Sequence, residues 1–413
     1  MLGVIYGSRT CEHEVSIISA LQLMRSVDRT MYDVTPIYIS QKGEWYTGEA
    51  LYDMNTYTAF NPYQKGIKKI SLDMTSGSGA LLHYEQGKGL FRGLKETVVA
   101  RIDCMVIVMH GVHGEDGSLQ GVFELANIPY TSSGIVASAV GMDKITMKHF
   151  FNGLGFPVLK DTYALRTEWE KTPDAVMKRI ETALPYPVFV KPSCLGSSIG
   201  VSRADDSEQL REALALAFSY DRRVLIEKGL DRPIEINCSV LGFDTEIETS
   251  VLEMPLSSSA VLDFSEKYLS GSGSKGMASL KRVMNPDIGE DTKEKIQALS
   301  KEIFASLDCK GVVRIDYMID RADGEFYITE INTIPGSLAF YLWQESKVSY
   351  GELIHKMVTY AMDAFAQKQA NNFAFHSDIL KGVQLNGTKG KLKMWPREND
   401  ISNNSYYEYF VNI

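Results

Sequence analysis

Read from its amino terminus, the chain alternates short apolar runs, glycine-marked turns and longer segments of helical period. Leu2 to Tyr6 is an apolar run closed by Gly7, and the polar turn after it gives way to a periodic segment from Val15 to Val27. Strand, glycine turn and helix in that order form the opening unit of a parallel α/β sheet. Val34 to Ile39 supplies the next strand, and Cys104 to Val108 reads as a buried strand leading into HGVHGEDGSLQG. Residues 40–95, rich in Gly, Tyr and Lys with weak periodicity, read as an insertion or irregular hairpins. Gln120 to Ala126 and Ala137 to Gly153 have helical period, with a short strand at Ile128 to Tyr130 between them. The pattern then changes. Pro187 to Lys191 is a strand running into KPSCLGSSIGVS, Ser207 to Phe218 is an amphipathic helix, and Arg223 to Glu227 and Ile234 to Leu241 are further strands. A long helix from Asp291 to Leu307 and a closing helix from Tyr350 to Gln369 bracket the most distinctive stretch.

That stretch is RIDYMIDRADGEFYITEINTIPG, from Arg314 to Gly336. Polar and apolar positions alternate to Ile319, Asp320 to Gly324 supplies turn chemistry, and alternation resumes from Phe326 to Ile331, which predicts two antiparallel strands joined by a short loop. Alternate side chains share a face, so Arg314 with Asp316, and Glu330 with Asn332, point the same way. If the pairs meet across the ladder, two carboxylates, an amide and a guanidinium converge. Hard oxygen donors of this kind suit Mg²⁺ held between carboxylates and a substrate's phosphates. Each residue alone reads as the solvent face of a half-buried hairpin; the set, followed by Asn-Thr-Ile-Pro-Gly, favours the ligand reading.

At 413 residues and 44% hydrophobic content, the chain can hold two or three domains of ~150 residues with substantial cores. A net charge of −9 without a long basic run argues against nucleic acid as an obligate partner and for a small molecule. Five scattered cysteines without CxxC spacing fit free thiols in a reducing compartment. The start MLGVIYGSRT lacks the features of a signal peptide, and no run of ~20 apolar residues could span a bilayer, so the expectation is a cytoplasmic protein without a membrane partner.

Other stretches add candidate chemistry. Gly196, Ser197, Ser198 and Gly200 follow a strand, where small residues let backbone N–H groups approach phosphate oxygens and Lys191 supplies positive charge. The loop lacks the P-loop pattern and by itself reads more readily as a solvated connection; coupled to the carboxylate hairpin it becomes half of a nucleotide site. Glu227 and Glu235 flank the junction of two strands, as acceptors for ribose hydroxyls or as surface acids on a hairpin; the segment does not decide between them. Glu12, His13 and Glu14 occupy the first strand-to-helix turn, the edge where ligands collect in open α/β sheets, and His110, Glu115 and Asp116 follow a later strand toward the same edge. Asp263 to Lys281 is dense in Ser, Gly and Lys, and reads either as a surface loop or as a lid carrying Lys267 and Tyr268.

Taken together, EHEVSIISA, HGVHGEDGSLQGVFELANIPYTSSGIVASAVGMDK, VKPSCLGSSIGVS, the Glu227–Glu235 segment, EKY and RIDYMI…YITEINTIPG resemble the D-alanine–D-alanine ligases of the ATP-grasp superfamily, in family order from residue 3 to about residue 365. The resemblance implies an α/β ATP-grasp fold with three domains: an N-terminal Rossmann-like substrate-binding domain over 1–143, a central subdomain over 144–230 and a C-terminal subdomain over 231–369, with 370–413 an appended tail. It implies that Lys144, Lys191 and Ser198 meet ATP phosphates, Glu227 and Glu235 the nucleoside, and Lys267 the γ-phosphate. Asp316, Glu330 and Asn332 would hold two Mg²⁺ ions, for which Mn²⁺ can substitute. Glu12 would meet the first D-alanine's ammonium, Ser197 and Tyr268 would link it to the lid, and His110 would line the same subsite. Arg314 and the Gly336 N–H would receive the developing oxyanion. The implied protein is a homodimer.

One departure bears on the second substrate. Family members commonly carry a serine five residues beyond the glycine of NTIPG, then Leu or Met; here Tyr341 and Leu342 occupy those positions. Glu-Lys-Tyr at 266–268 is similar to the D-alanine-forming type, whereas depsipeptide-forming relatives usually have histidine there. The expected activity is ATP-dependent joining of two D-alanines. A ligase using D-serine or another acceptor is the alternative, and a catalytically silent nucleotide-binding protein the reading from a different class.

Overall fold

The computed structural model describes residues 1–86, 94–256 and 282–373. Residues 1–366 form one compact unit built on three sheets, and a second unit begins at residue 367. The first sheet has the order β6-β5-β4-β3-β2-β1-β7, with β1 Leu2–Gly7, β2 Val34–Ile39, β3 Trp45–Thr47, β4 Lys68–Leu72, β5 Ala80–Gln86, β6 Leu94–Arg101 and β7 Cys104–Ile107. β1 pairs in parallel with β2 and β7, while β3 to β6 continue the sheet antiparallel. The fully apolar β1 and β7 are buried from end to end, as parallel strands covered on both faces must be. β6 is largely exposed, so it lacks the alternation that would have marked it as a strand. The segment expected to hold an insertion or irregular hairpins, residues 40–95, thus holds β3 to β5 and the start of β6, antiparallel strands that widen the sheet.

The second sheet, β10-β9-β11-β8, comprises β8 Asp161–Leu165, β9 Val188–Pro192, β10 Ser202–Ala204 and β11 Arg223–Lys228. Its core takes Val176 and Ile180 from the helix Pro173–Ala183, and Leu210 and Leu214 from the helix Ser207–Tyr220. The third sheet, β14-β13-β12-β15-β16, comprises β12 Ile234–Phe243, β13 Glu246–Pro255, β14 Arg282–Met284, β15 Gly311–Ile319 and β16 Phe326–Asn332. One face, with Ile236, Cys238, Val313, Ile315 and Tyr317, packs on the helices Glu290–Ser306 and Lys144–Gly153. The other face is divided. Leu241 and Val312 at one end enter the core of the first sheet, whereas farther along the strands the same face carries Ser239, Asn237, Arg314 and Asp316. The closing helix Tyr350–Gln369 lays Leu353, Ile354 and Met357 into that first core.

Two expectations change. Ala137 to Gly153 is not one helix: Ile135–Met142 ends and Lys144–Gly153 begins at Asp143, whose backbone is extended and whose carboxylate accepts from the Thr146 N–H. Ile128 to Tyr130 is not a strand but one parallel bridge, Tyr130 to Met105, because Pro129 has no N–H to continue a ladder. Of the tail expected over 370–413, residues 374–413 lie outside the described residues.

Candidate active site

β15 and β16 bring the site together. Arg314 lies opposite Asn332 and Asp316 opposite Glu330, the pairing that alternation anticipated, with a bulge beyond Asp316 before Tyr317 meets Ile328. Arg314 holds Asp316 through two hydrogen bonds of 2.7 Å, from Nε and from a terminal nitrogen, in the fork geometry that suits a guanidinium and a carboxylate. Burial works to lower the Arg314 pKa, but Asp316 outweighs it and keeps the group firmly charged. The Asn332 amide donates to Asp316 at 3.1 Å, and Lys144 Nζ sits 3.0 Å from Glu330.

Lys144 opens its helix where Asp143 ends the preceding one. Its backbone N–H donates to Ser193 and its ammonium to the Leu195 carbonyl at 2.9 Å, so one residue ties the glycine-serine loop to the hairpin. Burial pulls its pKa down, yet the Glu330 carboxylate prevails and holds it above the usual lysine value. Asp143 also accepts from Ser193 Oγ and pairs with Arg223, which anchors the loop's start. Ser197 and Ser198 adopt left-handed backbone conformations within that loop.

Ser197 Oγ donates to the buried carboxylate of Glu12, joining the loop to the turn after β1. A Cβ on Gly111 would lie 2.4 Å from Glu12 Oε2, and one on Gly196 3.0 Å from it, so two glycines make the cradle in which this carboxylate sits. Glu115 spans the same region: its oxygens accept from the backbone N–H groups of Gly111 and Ile334, both at 2.9 Å. Burial, with the nearby charge of Glu12, pushes its carboxyl up to about 8.

His110 is buried behind the hairpin's end, its Nδ1 2.9 Å from the Ile334 carbonyl and its Nε2 2.9 Å from Ser19 Oγ. Beyond Ile334, Gly336 begins a short turn in which Ser337, Leu338 and Ala339 all have positive φ. Ser19 and Gln22 hold that turn through Ser337, at 3.1 and 2.8 Å.

A second group forms the far end. Lys191 and Lys148 both pair with Glu227, Lys148 at 2.7 Å, and Glu227 is 2% exposed. Burial alone would raise the Glu227 pKa; the two ammonium groups reverse this and bring it to about 2. Sequence reasoning missed Lys148. The available signal was its spacing of four from Lys144, which puts both lysines on one helix face. Glu235 stands on the site face of β12, opposite Met318. Tyr341 and Leu342 follow the turn beyond the hairpin: Leu342 is fully buried with Ala339, and Tyr341 donates to Glu253 at 3.0 Å. Lys267 and Tyr268 lie outside the described residues.

The donors fit a hard divalent cation. Among the described residues no cluster of three or more His, Cys, Asp or Glu gathers as a self-sufficient metal site. Asp316 and Glu330 instead offer carboxylate oxygens side by side, with the Asn332 amide one row away. Mg²⁺ binds through one or two carboxylates when phosphates complete its shell. Lys144 and Arg314 already offset the two carboxylates, so a cation arriving with an anionic polyphosphate leaves the local charge near balance.

Comparison with known proteins agrees along the whole of this architecture. Residues 1–133 match the family model "D-ala D-ala ligase N-terminus" and residues 150–359 match "D-ala D-ala ligase C-terminus". The chain is 38% identical to the D-alanine–D-alanine ligase of Thermosipho melanesiensis, over 92% of this chain and 98% of that one. It is 35% identical to the Bacillus velezensis D-alanine–D-alanine ligase, over 90% and 100%. Among solved structures, the VanG D-Ala:D-Ser ligase from Enterococcus faecalis superposes with a TM-score of 0.71 at 29% identity, covering 87% of this chain and 98% of that one. The D-alanine–D-alanine ligase from Coxiella burnetii, 24% identical, has the same fold, with a TM-score of 0.71 over 89% and 95% of the two chains.

Proposed function

The chain belongs to the D-alanine–D-alanine ligase family, with the ATP-grasp fold, and from that premise we infer that it joins two D-alanines at the expense of ATP, releasing ADP and phosphate, for peptidoglycan synthesis. A carboxylate is a poor electrophile. Transfer of the γ-phosphoryl group to the donor's carboxyl oxygen gives an acyl phosphate and ADP; the acceptor's amine then attacks the carbonyl carbon, and phosphate leaves as the amide forms and the amine sheds its proton.

The chain's residues divide this work. Glu12, fixed by Ser197 between Gly111 and Gly196, presents a carboxylate to the donor's ammonium. His110, neutral and buried, braces the hairpin's end beside it. Lys144 and Lys191, with Ser198 in the loop, supply positive charge and donors for the phosphates, and Glu227 and Glu235 accept from the nucleoside. Asp316, Glu330 and Asn332 would hold Mg²⁺, whose chemistry there would be to screen negative charge on the phosphates. Arg314 and the Gly336 N–H face the carbonyl carbon's oxygen as it becomes an oxyanion. Tyr341 and Leu342 shape the acceptor's end. All five cysteines are free thiols, as a reducing, cytoplasmic setting would leave them. A homodimer is the assembly we expect.

The observation that carries this reading is the register that sets Asp316 against Glu330 while Lys144 joins Glu330 to the loop that also holds Glu12. Mass spectrometry of the product tests it. With D-alanine as the sole amino acid, the expected product is D-alanyl-D-alanine in step with ADP; a dipeptide formed only when D-serine or another amino acid is added would assign a different acceptor.

A further inference from the structure

The polar row on the third sheet continues past the hairpin. Glu330 on β16 faces Asp316 on β15, Asp316 faces Asn237 on β12, and Asn237 faces Glu253 on β13, so four polar side chains cross four strands on one face. The outer member is unusual. Glu253 is 2% exposed, and a carboxylate so enclosed must be paired or hydrogen-bonded. It has three donors: Asn237 Nδ2 at 2.9 Å and Tyr341 OH at 3.0 Å on one oxygen, and Arg282 at 2.7 Å on the other. Arg282 also sits over the Tyr341 ring, its guanidinium carbon 3.9 Å from the ring centroid.

An ionised carboxylate only accepts, so the Tyr341 phenol spends its single proton on Glu253. What the phenol oxygen then offers any other group is lone pairs, which repel a substrate carboxylate. The ring cannot turn freely, because Glu253 fixes its edge and Arg282 its face. Glu253 lies opposite Asn237 and Arg314 opposite Ser239, and Asn237 and Ser239 are two residues apart on one face of β12, so this cluster neighbours the guanidinium at the reacting end of the site.

Resting on the ligase reading above, we propose that Glu253 and Arg282 are positioning residues that set acceptor specificity through Tyr341. By locking the phenol they replace a hydroxyl donor with an aromatic wall, and so restrict the acceptor to D-amino acids with the smallest side chains. The acceptor's carboxylate is left to the cationic and backbone donors around it. Freed from Glu253, the ring can swing, the wall yields, and larger acceptors enter.

The test compares wild type with Glu253→Met, which removes the acceptor oxygens, and with Tyr341→Phe, which removes only the hydroxyl and so spares the packing. Equimolar D-alanine and D-serine, or D-alanine and D-valine, are supplied, and dipeptides are counted by mass alongside the KM for ATP. The expectation is that wild type forms D-alanyl-D-alanine, that both variants raise the share of mixed dipeptide by about tenfold, the effect of one hydrogen bond to a charged group, and that the KM for ATP stays within about twofold. The double variant should change the share no more than either single one, since each breaks the same bond. An unchanged product ratio in active Tyr341→Phe, whatever its thermal midpoint, would make the cluster a structural brace and overturn the proposal. Absence of any dipeptide from wild type would instead sink the ligase reading, and this inference with it.

Discussion

At His110 the tautomer follows from hydrogen-bond supply. The Ile334 carbonyl can only accept, so Nδ1 carries the proton; Nε2 then accepts from Ser19, whose oxygen in turn accepts from the Ser337 N–H. A charged imidazole would break this relay. Burial, the largest influence, pushes the His110 pKa from 6.5 down to about 4, with the Arg314 charge acting in the same direction. The unfolded chain therefore takes up this proton first as pH falls. Stability contributed by the neutral ring is complete above about pH 6.5 and is lost as pH falls through about 4, by on the order of 3 kcal/mol in total. His110→Gln should show a shallower fall in thermal midpoint between about pH 7 and about pH 5 than wild type. Parallel curves would exclude a buried neutral histidine here. The sequence marks His110 by its flanking glycine, but nothing in it indicates Ser19 or Ile334 as partners, 91 and 224 residues away. Glu115 shows the same limit: it reads as one more acid at the sheet's edge, yet both of its oxygens are taken by backbone N–H groups of separate segments.

At the scale of elements, local pattern carried the buried strands and the hairpin, and missed the exposed strands that widen the first sheet, while tertiary partners carried the breaks. Val34–Ile39 and Tyr350–Gln369 have the bounds that periodicity gives them, and alternation puts the hairpin's polar residues on shared faces, whereas the register, with its bulge after Asp316, is set by the pairing itself. The interruption at Asp143 does not follow from local pattern, because Ile135 to Gly153 has continuous helical composition. What stops the helix is a carboxylate engaged by Thr146, Ser193 and Arg223, only the first of which is local. The break aims Lys144 at the glycine-serine loop. Asp143→Ala should cost about 1–2 kcal/mol from the lost cap and should also weaken ATP binding, seen as a raised KM for ATP. Lower stability with an unaltered KM would mean that the break has no part in placing Lys144. Similarly, Asn237 and Glu253 sit in strands whose alternation is legible, but their membership in the polar row depends on which strands are neighbours, and that is set by the sheet's order β13-β12-β15-β16.

Across the whole molecule, three segments distant in sequence meet at one patch: the turn after β1 with Glu12, the loop after β9 with Ser197, and the β15–β16 hairpin with Asp316 and Glu330. Lys144 and Ser197 are the links, one to the hairpin and one to the turn. The residue types of all three were legible, because ligand chemistry restricts them to glycine, serine, lysine and carboxylates. Their convergence was not, since it depends on how the first core also takes in Leu241, Val312 and the closing helix, which fixes the third sheet against the first. The measurement that bears most directly on the account is D-alanine-dependent ADP release by wild type and by Glu330→Gln at saturating ATP and Mg²⁺. The account expects release by wild type only when D-alanine is present, and a fall of orders of magnitude in the variant with its thermal midpoint little changed. Near-wild-type turnover by Glu330→Gln, or ADP release indifferent to D-alanine, would contradict it.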